Sequence, residues 1–273
     1  MKTISYTAQW TAAARAIEHQ RPDRLCNDHL ARILAAPKGF DLLKQYGGAG
    51  LQDFVAIRTH YFDQAIMQLT KMHNIRQVVM IAAGMDTRAY RLEWPAQSIL
   101  YEIDYESLHK EKQNRLAQYT STLQLDCRSI HADLSTAWEK PLINAGFNPM
   151  QPTLWIAEAI FFFFSDAMVQ AILQKMGLLS AKTSYLIVDV LNQYSLKNIA
   201  SQPFLNALKQ EGIPWLFGTD DPEIYFKQQH WSIIDIKEPG EPGAGEKRWA
   251  YPVYPRDQRY TPRNWLIQAQ HTN

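Results

Sequence analysis

A chain of 273 residues with 46% hydrophobic and 20% charged residues holds enough apolar material for one sizeable core. Its formal net charge of +1 gives no electrostatic basis for binding nucleic acid or an anionic membrane, so neither partner is expected. The first residues lack the apolar core of a signal peptide, and no run reaches the roughly 20 residues of a membrane-spanning helix, so a cytoplasmic location is expected.

The amino-terminal third reads as helices. Residues 9–19 are alanine-rich, with Trp10, Ala13, Ala14 and Ile17 on one face. A second helix is expected from Asn27, as N-cap, to Ala35, ended by Pro37, with a further turn at 40–46 before Gly47-Gly48. Residues 54–72 carry Phe54, Ile57, Tyr61, Phe62, Ala65, Ile66 and Leu69 at helical spacing. A helical cap over residues 1–75 therefore precedes any sheet.

From residue 76 strands and helices alternate. Strands are predicted at 77–83, 98–103, 127–132, 153–157 and 184–190. Helices are predicted at 105–119, with the charges of KEKQNR facing outward, at 135–145, and from the N-cap Ser165 to 179. This rhythm predicts an open, mostly parallel sheet covered on both faces. Beyond residue 191 the pattern loosens into helices at 198–211 and 221–229 and strands at 231–236 and 264–269. These flank a long segment punctuated by Pro239, Pro242, Pro252, Pro255 and Pro262. No repeat or flexible linker divides the chain, so residues 1–273 are expected to form a single domain. It comprises the cap, a cofactor-binding half-sheet at 76–190 and a substrate-side remainder at 191–273.

The stretch 76–104 is the most informative. Val78-Val79-Met80-Ile81 is an unalternating apolar run, Ala82-Ala83-Gly84 allow close approach to the backbone, and Asp104 follows Gly84 by about 20 residues. That is the offset at which an acid meets ribose hydroxyls in doubly wound nucleotide sites. The glycines of the dinucleotide fingerprint are missing, which disfavours a nicotinamide oxidoreductase. Asp104, Asp133 and Glu158 each follow a predicted parallel strand, where ligands of open α/β sheets bind. Taken alone, each is as well explained as a helix cap or solvated loop residue. Cys26 and Cys127 form no CxxC motif and read as buried thiols, and the histidines are scattered singly, so no metal is expected.

The segments AQWTAAARAIEHQRPDRLCNDHLA, AIRTHYFDQAI, IAAGMDTRAYRLEWP, YEID, ADL, PTLWIAEAIFFF and PRNWLIQA run in order almost from end to end. Through them the chain resembles the leucine carboxyl methyltransferase-like family of class I S-adenosylmethionine-dependent O-methyltransferases, including its bacterial natural-product (TcmP-like) branch. The resemblance implies a Rossmann-like, seven-stranded sheet and S-adenosyl-L-methionine as cofactor. It implies that Arg58, with Arg15 as a second candidate, pairs with the methionyl carboxylate, and that Ala82, Ala83 and Gly84 pass beneath the methionyl chain. By the same resemblance Asp104 accepts from the ribose hydroxyls, Asp133 and the Leu134 backbone meet the adenine, and Glu158 lies near the amine and sulfonium. Three departures stand out: Ala82 where the family has glycine, Ser135 where it commonly has arginine, and Phe163 where it commonly has tyrosine. The last two are expected on the substrate side.

No catalytic residue is assigned. A carboxylate acceptor is already ionised at pH 7 and needs no base, whereas a phenol or alcohol needs one. His60 and His131, the histidines nearest the expected crevice, read as structural or surface residues. A small-molecule oxygen acceptor is therefore expected, with a carboxylic acid favoured over a hydroxyl compound. The alternatives are a protein carboxyl terminus and a cofactor-binding protein without catalysis. Phe161 to Phe164, Tyr194, Trp215, Phe217, Trp249, Tyr251 and Tyr254 offer ring faces for an apolar substrate pocket or for ordinary core packing, the latter expected for at least half of the Phe161 to Phe164 rings. Phe163, Tyr194 and Trp249 are the substrate-side candidates, and 249–254 is expected to form a lid.

Overall fold

The computed structural model describes residues 4–46, 50–117, 119 and 122–272; the predicted break at Gly47-Gly48 lies outside them. Three helices come first: α1 (Ile4–His19), α2 (Ala31–Tyr46) and α3 (Leu51–Met72). Alanines at 12, 13, 14 and 16 are at most 2% exposed and let α1 pack closely on α2. Within α2, Ala36 leaves helical geometry (φ 50°, ψ 175°) ahead of Pro37, so its two halves correspond to the two separate pieces expected from the sequence. The first half starts at Ala31, later than the predicted cap at Asn27, because Asp28 is drawn into an ion pair with Arg15.

The alternating region follows: β1 (Gln77–Ile81), α4 (Arg88–Arg91), β2 (Ile99–Asp104), α5 (Glu106–Leu116), β3 (Asp126–His131), α6 (Glu139–Asn144), β4 (Thr153–Ala157), α7 (Asp166–Leu178) and β5 (Tyr185–Leu191). The short helices α8 (Gln193–Lys197), α9 (Gln202–Gln210) and α10 (Pro222–Gln228) then lead to β6 (Trp231–Lys237) and β7 (Asn264–His271). The strands form one seven-stranded sheet in the order β3-β2-β1-β4-β5-β7-β6. Its first five strands are parallel, and β7 runs antiparallel to both β5 and β6. The strand order reverses between β1 and β4, the switch point at which an open α/β sheet leaves a crevice beyond its strand ends.

Strand periodicity of two explains why the apolar runs show no alternation. Val79, Ile81, Tyr101, Ile103, Trp155, Leu186 and Val188 face the core completed by α6 and α7. Val78, Met80, Leu100, Leu154, Ile156 and Ile187 face the opposite core under α3. A third cluster seats α1 and α2 against Met85, Leu108 and Leu116.

Several boundaries differ from the sequence expectation for local reasons. β1 stops at Ile81 because Ala82 takes a left-handed conformation. The helix expected from 135 starts only at Glu139, since Asp133 binds the turn at 135–136. Lys112, expected on the outer face of α5, is buried and bonds both carboxylate oxygens of Glu102 at 2.8 Å.

α5 also carries a pH-sensitive group. His109 is buried with neither ring nitrogen hydrogen-bonded, beside Lys112 and against the His131 ring. Burial, reinforced by Lys112 and His131, lowers its pKa from 6.5 to about 4. A histidine whose folded pKa is depressed contributes stability above its unfolded pKa, and that contribution is lost as pH falls. Between pH 6.5 and 4 this residue is expected to cost about 1.4 kcal/mol per unit. Urea melts of wild type and His109→Phe should converge above pH 7 and separate as pH falls, with the wild type the steeper. Parallel pH profiles would refute this.

Candidate functional site

A cavity opens at the carboxyl ends of β1, β2 and β4, roofed by α1 and the start of α3. Its floor is the turn after β1. Ala82 (φ 52°) and Gly84 (φ 55°) both lie in the left-handed region, and a Cβ on Gly84 would sit 3.0 Å from the Ala8 side chain of α1. Glycine at 84 is thus required by conformation and by the closeness of the cap. Ala82 adopts the same geometry with a methyl group, at a cost of roughly 1–2 kcal/mol. Ala159, just after Glu158 at the end of β4, is a second left-handed alanine (φ 56°), so backbone strain flanks the switch point on both sides. Ala82→Gly is expected to raise stability by about 0.5–1 kcal/mol, the relieved strain less the entropy of glycine. Chemical denaturation measures this, and a destabilised variant would contradict it.

Asp104, 9% exposed at the end of β2, ties the first two strand ends together. It accepts from the Gly84 and Tyr105 N–H groups, each at 2.7 Å. Burial outweighs these two donors and raises its pKa. Each carboxylate oxygen keeps acceptor capacity toward the cavity. Asp133 follows β3 and spends Oδ1 on the Ser135 N–H and hydroxyl (2.9 and 2.7 Å), while Oδ2 accepts from the Tyr105 hydroxyl at 3.3 Å. Ser135, expected on the substrate side, therefore bonds Asp133, and Leu134 lines the cavity beside it.

Glu158 belongs to a continuous ladder of buried charges. Asp189 on β5 bonds Arg58 (3.0 Å), and Arg58 bonds Glu158 (3.0 Å). Glu158 bonds Arg88 (2.7 Å), which also bonds Asp86 (2.6 Å) and Asp63 (2.7 Å). Asp63 bonds Arg91 (2.5 Å), and Asp28 lies between Arg91 (3.9 Å) and Arg15 (2.9 Å). Burial pushes Glu158 upward, but Arg88 and Arg58 outweigh it and hold the carboxyl below its usual range. At Asp189 burial prevails over Arg58 and the Ala159 N–H, and the pKa is raised. The ladder fixes Arg58 and Glu158 across the crevice from Asp104.

Arg15, Arg58, Ala82, Ala83, Gly84, Asp104, Asp133, Leu134, Glu158 and Phe163 all line this one cavity. Arg58, expected to face a carboxylate ligand, uses Nε and one Nη1 contact on Glu158 and Asp189, and a guanidinium has five N–H donors. Tyr194 and Trp249 are not among the lining residues. Tyr194, on α8, packs edge-on to Tyr260. Trp249 packs against Tyr251 on the proline-rich segment, which runs behind α3: Gly245 there abuts Ile57, and Arg248 bonds Glu18 and Asp53. Residues 249–254 consequently brace the cap from outside and contribute no lid to this cavity.

No role is predicted from sequence for Asp86, Arg88, Asp63 or Asp189, which the ladder brings to the site. A charged residue within the otherwise apolar strand Tyr185–Leu191 was the one available signal for Asp189. Trp10, Phe54 and Phe162 complete much of the apolar wall.

The family model for leucine carboxyl methyltransferase matches residues 8–177, a span that includes every element of the ladder except Asp189. A Parafrankia protein, named as a candidate S-adenosyl-L-methionine-dependent methyltransferase, is 34% identical over 68% of this chain and 63% of its own length. A similarly named Mycobacterium tuberculosis protein is 32% identical over 72% of this chain, so the match spans 66% of that relative. One from Mycobacteroides abscessus is 31% identical over 98% of this chain and 95% of its own. Among solved structures, a DUF574 family protein from Streptomyces avermitilis superposes with a TM-score of 0.65 at 14% identity, over 95% of this chain and 96% of the other. Magnesium protoporphyrin IX methyltransferase from Synechocystis, solved with S-adenosylhomocysteine, superposes at 0.51 and 13% identity, over 86% and 95%. These likenesses place the sheet among Rossmann-like methyltransferase folds, and the chain belongs to the leucine carboxyl methyltransferase family.

Proposed function

We propose that this protein uses S-adenosylmethionine to methylate a carboxylate oxygen of a small organic acid. The residues present suit that cofactor. Asp104 retains acceptor capacity for two ribose hydroxyls, and Asp133 lines the cavity beside Leu134, where an adenine amine would be met. Arg58 has donors left for a methionyl carboxylate, and Glu158, held ionised by its arginines, places negative charge beside the crevice. When bound, the cofactor supplies a sulfonium-activated methyl group.

The choice of a carboxylate rests chiefly on the composition of the cavity wall. Among its described lining residues there is neither histidine nor lysine. The lining acids have other assignments: Asp86 and Glu158 pair with arginines, while Asp104 and Asp133, which bond neighbouring donors, are the acids proposed to meet the ribose and the adenine. An acceptor that must first lose a proton finds no free base, whereas a carboxylate arrives ionised. The protein's task is then to orient the acid, exclude water with α1 and the phenylalanine wall, and hold the charge ladder fixed.

Incubating the enzyme with methyl-labelled S-adenosylmethionine and paired aromatic acids and phenols tests this. Expected is label in a base-labile methyl ester, at a rate nearly flat from pH 6 to 9. Label confined to a base-stable ether, with a rate rising with pH, would refute the carboxylate assignment.

A further inference from the structure

We propose that the indole N–H of Trp215 recognises the acceptor, donating a hydrogen bond to one oxygen of a planar aromatic carboxylate. This rests on the carboxylate acceptor proposed above, and it names the group that orients it.

Trp215 lies between α9 and α10 and lines the cavity. Its segment is fixed by the Leu216 and Phe217 N–H groups, which both donate to the Phe162 carbonyl (2.6 and 3.3 Å). Its ring packs against Phe162 (4.9 Å between centroids), Phe204 (5.1 Å) and Phe163 (6.3 Å). Within this shell Nε1 is buried and has no hydrogen-bond partner among the described residues, so a ligand oxygen reaches it only as the surrounding rings part. The indole N–H groups of Trp94, Trp155, Trp231 and Trp265 each reach an oxygen; that of Trp138 is also unpaired but lies in the closed core, away from the cavity wall. A buried donor left unpaired costs about 1–3 kcal/mol. Trp215 carries such a cost at the wall of the cavity.

The chemistry of that donor narrows its ligand. An indole N–H only donates, so the complementary group is an acceptor, and in an apolar surround a carboxylate oxygen is the strongest one. The neighbouring rings offer faces for a flat aromatic body. The guanidinium groups lining the cavity, Arg15 and Arg58, are both paired with carboxylates. A neutral donor orients one carboxylate oxygen while leaving the anion's charge uncancelled for the other.

The test uses protein labelled with 15N-tryptophan and saturated with S-adenosylhomocysteine, titrated with 2-naphthoate and with 2-methylnaphthalene. Naphthoate is expected to move one indole N–H resonance downfield, identified as Trp215 by its absence from Trp215→Phe. In that variant naphthoate should bind about tenfold more weakly. Methylnaphthalene and S-adenosylhomocysteine should bind both proteins alike. If Trp215→Phe does not fold, Trp215→Tyr serves for assignment and affinity. Failure of naphthoate to bind wild type, binding without movement of that resonance, or equal affinity in the variant each overturns the proposal. If the resonance moves as expected but 2-naphthol rather than 2-naphthoate is methylated, the Trp215 contact stands and the carboxylate reaction fails.

Discussion

Asp104→Asn is expected to weaken S-adenosylhomocysteine binding by about 10–100-fold, the loss of a charge-assisted acceptor worth about 1.5–3 kcal/mol. Asparagine is nearly isosteric with aspartate, so the crevice keeps its shape. Its amide cannot, however, reproduce two acceptor oxygens: whichever way it turns, the –NH2 faces either the Gly84 or the Tyr105 N–H. The same substitution should therefore also lower stability by about 1–3 kcal/mol, because one buried N–H loses its partner. Isothermal titration on protein shown to be folded separates the two effects. An affinity within twofold of wild type would remove Asp104 from the cofactor site.

Arg88→Met should produce the largest loss of stability, about 3–5 kcal/mol, the cost of leaving buried charges without their partner. Arg88 is 1% exposed and is the ladder's branch point, touching Asp63, Asp86 and Glu158 at once. Burial disfavours its charge, yet these acids raise its pKa well above the ordinary value. Arg88→Lys should recover little, since one ammonium cannot span three carboxylates held by a planar fork. Thermal melts at pH 7 should show a drop on the order of 10 °C for Arg88→Met. A melting temperature within 2 °C of wild type would mean that the ladder contributes nothing net.

The strands, their order of appearance and the cap were legible because periodicity and apolar runs report burial directly. The acids at strand ends were legible because topology places them in one crevice, as Asp104, Asp133 and Glu158 now show. What periodicity does not report is partnership across the fold. Lys112 reads as a surface charge until Glu102 is seen beneath it, and nothing in the sequence around Arg58 announces Asp189, 131 positions away, as its partner. Aromatic residues carry a similar ambiguity. Phe163 and Trp215 reach the cavity, whereas Trp249, on an equally plausible loop, packs behind α3, because loop paths depend on anchors such as Arg248 and Arg263.

The placement of β7 bears on assembly of the chain. The last strand in sequence is not at the sheet's edge: it lies between β5 and β6, pairing with all seven residues of β5. Until residues 264–271 emerge and pair, β5, whose side chains are apolar apart from Asp189 and the Tyr185 hydroxyl, presents a row of unpaired backbone N–H and C=O groups, and β6 has no neighbour in the sheet. An unpaired hydrophobic strand edge is a template for other chains. Vectorial synthesis thus leaves the most aggregation-prone margin open longest, and chains stopped short of Asn264 would keep that margin exposed even with every cavity residue already made.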